Sequence, residues 1–385
     1  MMWPSWIGAR DDLAAEVARF DPAVPIERAF TPPGSWYTDP RFHALDRRAV
    51  FGASWLPACR VDQLPAPGSY ASGCVAGIPW VVVRAPDGAV RGFHNSCRHK
   101  GREVVTGAGT AGDALVCGYH AWSYGLDGRL KSAPRMAGIE DFDRQAMSLV
   151  PLAVETWGPW VFIHADAGAP PLRPRLSLLE ERLARRGWDG YRYVESAEWV
   201  VEGNWKTVVD NYLDGGYHVP HMHPTLSAQI DMQSYRTELL DGYSIQEATA
   251  AREQDPRLGY DAGERIGEGA IYAWIYPNFM INAYGPCIDS NVILPLGPDS
   301  CRVLYDFFFA ESQGDAARRF VADSIAQSAV TQREDKEICE SVQIGLQSPS
   351  YDRGRYAPRL EMGEHHFHRM LAADYRAALR GPEAD

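Results

Sequence analysis

Two short hooks, Cys97-Arg98-His99 and Cys117-Gly118-Tyr119-His120, stand seventeen residues apart and limit what this chain can be. Together they offer two thiolates and two imidazoles. A four-ligand Cys/His set serves structural zinc or an iron–sulfur cluster. Zinc sites favour hooks of one ligand type, Cys-x-x-Cys or His-x-x-x-His. Here each hook mixes a sulfur with a nitrogen, which suits a [2Fe–2S] centre with both thiolates on one iron and both imidazoles on the other. Neutral imidazoles in place of thiolates remove negative charge, so the reduced cluster is less unfavourable and the potential rises.

The rest of the composition restricts partners. The formal net charge is −12 and no Lys/Arg block stands out, which argues against nucleic acid and anionic membrane. Asp11, Asp12 and Glu16 lie where a signal peptide needs an apolar run, and no apolar stretch reaches the length of a membrane span. The expectation is a soluble, cytoplasmic protein. Of seven cysteines, Cys59, Cys74, Cys287, Cys301 and Cys339 are scattered and read as buried free thiols.

Residues 1–50 read as an N-terminal helical segment: helical spacing over Asp11–Phe20, then a Pro-rich link from Asp21 to Pro33. Thr31–Pro40 reads as a turn with two exposed aromatics, Trp36 and Tyr37. Residues 51–165 change to short β runs, such as Trp80–Arg84 before the Pro86-Asp87-Gly88 turn, with the hooks on loops between strands. Between the hooks, Gly107–Gly112 fits G-x-G-x-x-G. A dinucleotide site needs a helix after the third glycine, and Asp113 to Val116 runs straight into Cys117, so a flexible connector is expected.

Residues 166–385, a second domain, open on a Pro/Ala linker (Ala167–Pro174) and a charged helix (Leu178–Arg186). Their densest segment runs from Asn204-Trp205-Lys206 through Asp210-Asn211-Tyr212-Leu213-Asp214-Gly215-Gly216-Tyr217-His218 to Pro220-His221-Met222-His223-Pro224. On one ideal helix His218 and His223 point about 140° apart. A shared metal therefore needs a broken helix, and Gly215, Gly216 and Pro220 are placed to break it. Two imidazoles and one carboxylate on one face of Fe(II) leave open positions for O₂ and substrate. The third ligand is sought on a helix over Asp315–Gly345. There Asp335 lies three and seven residues before Ile338 and Val342 and shares their apolar stripe, with Glu334 the alternative.

With these residues in view the chain resembles the catalytic α subunits of the Rieske non-haem iron oxygenases, over almost its full length. The family pattern Asn-Trp-Lys … Asp/Glu-Asn … Tyr-His-x-x-x-x-His-Pro matches Asn204 to Pro224. The resemblance implies Cys97, His99, Cys117 and His120 as ligands of a Rieske cluster, and His218, His223 and Asp335 as ligands of a mononuclear iron. It implies Asn211 as the asparagine near that iron, and Asp214, alternatively Asp210, as the acid linking one subunit's cluster to its neighbour's iron. His221 is extra to the pattern and is read as lining the pocket or backing a ligand. The additional cysteine pair of respiratory Rieske proteins is missing, which points to an oxygenase- or ferredoxin-type cluster. Thr31–Pro40, Asp210–Pro220, Cys339–Gln343 and Glu361–His368 look like the choline monooxygenase-like branch.

That likeness implies an α+β chain: a small all-β Rieske domain and a catalytic domain of helix-grip type, an antiparallel sheet closed over a long C-terminal helix. It also implies a homotrimer with electron transfer across the subunit boundary. No flavin or nicotinamide domain is evident, so electrons come from a separate NAD(P)H-dependent reductase, directly or through a ferredoxin. The leading function is O₂-dependent hydroxylation or oxidative N-dealkylation of a small amine or quaternary ammonium compound. An aromatic-ring hydroxylating mono- or dioxygenase is the alternative, and an electron carrier or binding protein with an inactive second site the third. Tyr272, Trp274 and Tyr276 alternate at period two, with Phe279 and Tyr284 nearby; such a face could cage an ammonium group, stack an arene or be core.

Overall fold

The computed structural model describes residues 7–251 and 265–380. The chain divides into two compact units, Phe51–Leu176 and the combination of Met1–Val50 with Ser177–Asp385.

The unit Phe51–Leu176 is built from β1 Leu56–Arg60, β2 Ser69–Val75, β3 Ile78–Arg84, β4 Val90–His94, β5 Ala108–Thr110, β6 Ala114–Val116, β7 Ser123–Gly125, β8 Leu130–Ser132, β9 Pro151–Trp157 and β10 Trp160–His164. One sheet has the order β1-β10-β9-β4-β3-β2-β5 and a smaller one β6-β7-β8. The first hook follows β4, and the second is the turn between β6 and β7. Val81, Val83, Phe93, Leu115, Trp122 and Tyr124 form a core around both cysteines. Gly107–Gly112 carries no helix: Ala108–Thr110 pairs antiparallel with β2, which makes it a sheet edge rather than a slack connector. The unit extends past residue 165 because Glu155 on β9 accepts the N–H groups of Leu172 (2.9 Å) and Arg173 (3.0 Å), and Trp55 Nε1 donates to Pro170 O at 2.9 Å.

The other unit carries β11 Arg192–Val201, β12 Arg236–Leu240, β13 Tyr243–Thr249, β14 Gly269–Ile275, β15 Phe279–Ala283, β16 Cys287–Pro295 and β17 Cys301–Phe309 in one antiparallel sheet, order β11-β17-β16-β15-β14-β13-β12. Its main helices are α1 Ile7–Ala18, α2 Trp205–Leu213, α3 Asp315–Leu346 and α4 Met362–Arg380. Helix α2 starts where the Asn204 side chain accepts the N–H of Lys206 at 3.0 Å, and it packs against α3, α4 and β16. A sheet gripping long helices is the expected architecture. No described helix is long and apolar enough to cross a membrane.

The N-terminal segment is built into this unit through residues 36–46. Trp36 is fully buried and Tyr37 5% exposed, against the exposed aromatics expected from the turn-forming sequence. Trp36 stacks on Phe42 (centroids 5.7 Å) and meets Tyr375 of α4 edge-on at 5.0 Å. Asp46, also buried, accepts from Trp205 Nε1 at 2.9 Å, from Lys206 Nζ and from the Tyr375 hydroxyl, joining this segment to α2 and α4. Burial pushes the Lys206 ammonium down from the ordinary lysine value, against the opposing pull of Asp46. Cys287, Cys301 and Cys339 are buried as expected, but Cys59 is half-buried and Cys74 exposed.

Candidate active site

Backbone turns shape the two hooks. Cys97 N–H donates to Arg102 O and Gly101 N–H returns to Cys97 O, both at 2.8 Å. In the second hook Cys117 N–H donates to Trp122 O (2.8 Å) and Ala121 N–H to Cys117 O (3.1 Å). Tyr124, pushed above the ordinary phenol value chiefly by burial, sets its hydroxyl 3.3 Å from Cys97 Sγ and accepts Arg98 N–H at 2.9 Å. Both cysteines are buried, while His99 is half-buried and His120 exposed. The imidazoles lie 4.6 Å apart between centroids, with His99 stacked on Trp122 at 4.9 Å.

These residues fit a two-iron cluster. His99 Nδ1 is buried without a hydrogen-bond partner, a cost that a metal bond removes. Desolvation, His120 and Lys100 hold His99 below the ordinary imidazole value, and a metal takes the neutral ring. Among the described residues, three-donor groups within 4.8 Å occur at His218, His223 and Asp335 and at Asp210, Glu364 and His368, but not at the hooks. Four donors too widely spaced for one ion suit a binuclear centre rather than zinc.

In the other unit α2 ends at Leu213 and the chain turns through Gly215 and Gly216, at φ 70° and 74°. A Cβ on Gly215 would stand 2.1 Å from Leu360 O, so only glycine fits. The turn is gathered on Asp214: Oδ1 accepts the N–H groups of Gly216 (2.9 Å) and Tyr217 (3.1 Å), and Oδ2 accepts His218 N–H at 3.0 Å. His218 then caps the single helical turn Val219–Met222, which His223 closes with φ −119°, ψ 68°. The glycines therefore act before His218 rather than between the histidines. The rings end 4.9 Å apart at 82°.

Each imidazole is gripped from behind. His218 Nδ1 lies 2.5 Å from Asp214 Oδ2, and His223 Nδ1 lies 2.6 Å from Glu334 Oε2. Both Nε2 atoms face Asp335 Oδ1, at 3.7 Å from His218 and 2.9 Å from His223, and Asn211 Nδ2 donates to the same oxygen at 2.7 Å. Two Nε2 atoms and one carboxylate converge, with outer carboxylates holding both rings from behind, an arrangement that suits a metal. Burial works against charging His223, but Asp335 and Glu334 outweigh it and raise it above the ordinary value.

Glu334 and Asp335 thus take different positions, one behind a ring and one in front of it. Asp335 reaches the site by another stripe of α3 than the sequence suggested. The buried positions near it are Gln332, Cys339 and Gln343, while Val342 is 44% exposed. Asp210 is turned away: it accepts from the Tyr37 hydroxyl at 2.7 Å and meets His368 Nε2 at 3.0 Å. His221 is exposed and lies outside the cavity wall, so it neither lines the pocket nor backs a ligand.

A cavity of about 100 Å³ opens beside this triad, with Tyr212, Tyr235, Tyr272, Tyr284 and Tyr305 in its wall. Burial, reinforced by neighbouring groups, holds Tyr212, Tyr235, Tyr284 and Tyr305 well above the ordinary phenol value, and Tyr272 is pushed up to about 12, so all five present neutral rings. Of the aromatic stripe, only Tyr272 and Tyr284 line the cavity. Trp274 packs edge-on against Phe367 of α4 at 5.4 Å, and Tyr276 donates to Asp374, so that end of the stripe is core. Sequence reading missed Tyr212, Tyr235, Tyr305 and the polar wall of Asn282 and Asn291. Their signal was a buried face with polar residues: Tyr272 pairs with Asn282, Asn282 with Asp289, and Asn291 with Tyr305.

Comparison with known proteins fits both sites. Residues 54–143 match the Rieske [2Fe-2S] domain, and residues 183–377 the ring hydroxylating alpha subunit (catalytic domain). The chain belongs to the Rieske non-haem iron oxygenases, enzymes that join a [2Fe–2S] domain to a catalytic domain with a mononuclear iron. Within that class it is 39% identical over 379 residues to the chloroplastic choline monooxygenase of Arabidopsis thaliana, covering 96% of this chain and 88% of that one. It is 30% identical over 327 residues to the carnitine monooxygenase oxygenase subunit of Acinetobacter pittii (strain PHEA-2), covering 84% and 87%. A solved quaternary ammonium Rieske monooxygenase, described for carnitine oxidation and inter-subunit electron transfer, superposes with TM-score 0.77 at 26% identity over 92% of this chain and 97% of that one. Naphthalene 1,2-dioxygenase is similar at 19% identity, which speaks for the fold alone.

Proposed function

We propose that this oxygenase hydroxylates or oxidatively N-dealkylates a small quaternary ammonium compound. The observation that carries the reading is the five-tyrosine wall of the cavity beside His218, His223 and Asp335. Neutral aromatic faces attract a cation that cannot donate hydrogen bonds, and an enclosed site makes that attraction worth more. The relatives named for choline and carnitine act on such cations, which supports the same substrate class here.

In this reading Cys97, His99, Cys117 and His120 hold the cluster, and His218, His223 and Asp335 hold the mononuclear iron. Bound there, the two centres supply single electrons and open coordination positions for reducing O₂. The balance is one C–H, one O₂, two electrons and two protons giving one C–OH and one water. The chain's own part is positional. Asp214 and Glu334 fix the two rings, Asn211 holds the Asp335 carboxylate, and the tyrosines keep the ammonium group beside the triad in place of water.

The electrons come from a separate NAD(P)H-dependent reductase, directly or through a ferredoxin, and enter at the exposed His120 edge. The relative named an oxygenase subunit supports a separate reductase. The working form is a homotrimer in which Asp214, in contact with His218, links this site to a neighbouring copy's cluster. A reducing compartment, the cytoplasm, suits the free thiols Cys74, Cys287, Cys301 and Cys339.

The test supplies a surrogate reductase and measures products and O₂ uptake with ammonium compounds and with arenes. Aldehyde or formaldehyde formed with substrate-dependent O₂ uptake from the ammonium compounds is the expected result. Phenol or diol from arenes instead would overturn the reading.

A further inference from the structure

Tyr37 lies outside both stretches that match the family, residues 54–143 and 183–377, yet it grips α2 at two places. Its carbonyl oxygen accepts Asn204 Nδ2 at 3.0 Å, at the residue that caps the helix. Its hydroxyl, more than a turn further along, donates to Asp210 Oδ2 at 2.7 Å. The same hydroxyl lies 2.8 Å from His368 Nε2 of α4, which also meets Asp210 Oδ1 at 3.0 Å. Behind that ring the Tyr356 hydroxyl stands 2.7 Å from His368 Nδ1. Tyr37, Tyr356 and His368 are all buried.

One placement of protons satisfies every contact. Tyr356 O–H donates to Nδ1, Nε2–H is shared between the Tyr37 oxygen and Asp210, and Tyr37 O–H donates to Asp210. Burial and neighbouring carboxylates hold both phenols well above the ordinary value, so each keeps the proton it donates. A buried chain with every group paired is stiff, and removing one member leaves the others unsatisfied. The last turn of α2 is held closely as well: a Cβ on Gly363 of α4 would stand 2.8 Å from Leu213 O.

Asp210 and Asn211 are consecutive, so on a helix their side chains diverge by about 100°. The first is locked by Tyr37 and His368, and the second donates to Asp335 Oδ1 at 2.7 Å. Any rotation of α2 that moves one moves the other. We infer that Tyr37 is a positioning residue of the oxygenase: with His368 it locks Asp210, and through the helix backbone it sets the Asn211 amide against the Asp335 carboxylate. The assignment rests on the reading of His218, His223 and Asp335 as the mononuclear iron site. It brings a residue of the N-terminal segment into the upkeep of that site.

The test is ferrous titration of full-length enzyme that keeps its cluster and has been depleted of mononuclear iron, followed by electron paramagnetic resonance with nitric oxide as the probe. Tyr37→Phe removes one hydroxyl and keeps the ring. It should weaken ferrous affinity by about tenfold and change the symmetry of the nitric oxide signal, with cluster absorption unchanged. Tyr356→Phe reaches the same clasp from its other end and should weaken affinity in the same direction. Trp36→Phe thins the core of the segment without touching Asp210; it should lower resistance to denaturant and leave affinity and signal unaltered. In an Asn211→Ala background Tyr37→Phe should cost less than about twofold, because the residue it acts through is gone. Unchanged affinity in both tyrosine variants overturns the inference. So does an equal loss in Trp36→Phe, or the full loss from Tyr37→Phe in the Asn211→Ala background. If Asp335→Ala binds ferrous iron as tightly as the unaltered enzyme, the reading of the triad falls as well.

Discussion

At the Cys97 to His120 hooks, donors are placed by backbone turns on a β framework, and one imidazole is left at the surface. At the His218, His223 and Asp335 triad, donors are placed by other side chains: a carboxylate behind each ring and an amide on the third ligand. A turn fixes a ligand with its own neighbours, tolerates solvent and leaves an edge open to partners. A carboxylate behind an imidazole fixes a ligand from across the fold and leaves its free face for an enclosed cavity. The first suits passing electrons and the second suits keeping water from a reaction.

Breaking the side-chain-held site while sparing the turn-held one gives the largest expected effect. Asp335→Ala should lose the mononuclear iron and reduce turnover to background, with the visible absorption of the cluster intact. Cys117→Ser should do the reverse to the spectrum and keep one iron in the other unit. Metal analysis beside the absorption spectrum checks both. Next in size is the buried anchor of the N-terminal segment. Asp46→Ala leaves the Lys206 ammonium buried without its anion and should destabilise that unit by about 3–5 kcal/mol, read from chemical denaturation followed by tryptophan fluorescence.

Those two effects separate what the sequence could announce from what it could not. The hooks were legible because their ligands lie within 24 residues and their turns are local. His218 and His223 were legible for the same reason, although the glycines turn the chain before His218 and not between the two rings. Asp335 stands 112 positions beyond His223, and the stripe argument placed it beside Ile338 and Val342 when the face turned inward is that of Gln332, Cys339 and Gln343. A polar inward face defeats an apolar-periodicity reading, although it is what a polar site requires. The burial of Trp36 and Tyr37 was hidden likewise, because their partners lie on α2 and α4, far along the chain. Glu334 was read from sequence only as the alternative to Asp335, and its place behind His223 emerges only in space.

Glu334 sharpens the comparison further. Glu334→Gln keeps the triad and removes the anion behind His223, so iron affinity or activity should fall by about 10–100-fold, measured by metal titration. The smallest effect concerns pH. Burial, only partly offset by Asn282, Arg265 and Asn291, pushes Asp289 up to about 6. Its negative charge is therefore gained as pH rises through about 6, and binding of an ammonium substrate should strengthen several-fold over that interval. Folding stability should move oppositely. A group whose folded value is raised stabilises below the ordinary carboxylate value, and that contribution is lost as pH rises through about 6. Asp289→Asn should flatten both profiles, followed by calorimetry and by thermal unfolding.

The central claim is that one chain carries two differently held iron centres. Iron, zinc and acid-labile sulfide measured together on the purified holoenzyme test it most directly. The account predicts about three irons and two sulfides per chain, falling to about two irons with sulfide unchanged in Asp335→Ala. Zinc in place of iron at the hooks, or an unchanged iron count in Asp335→Ala, would contradict it.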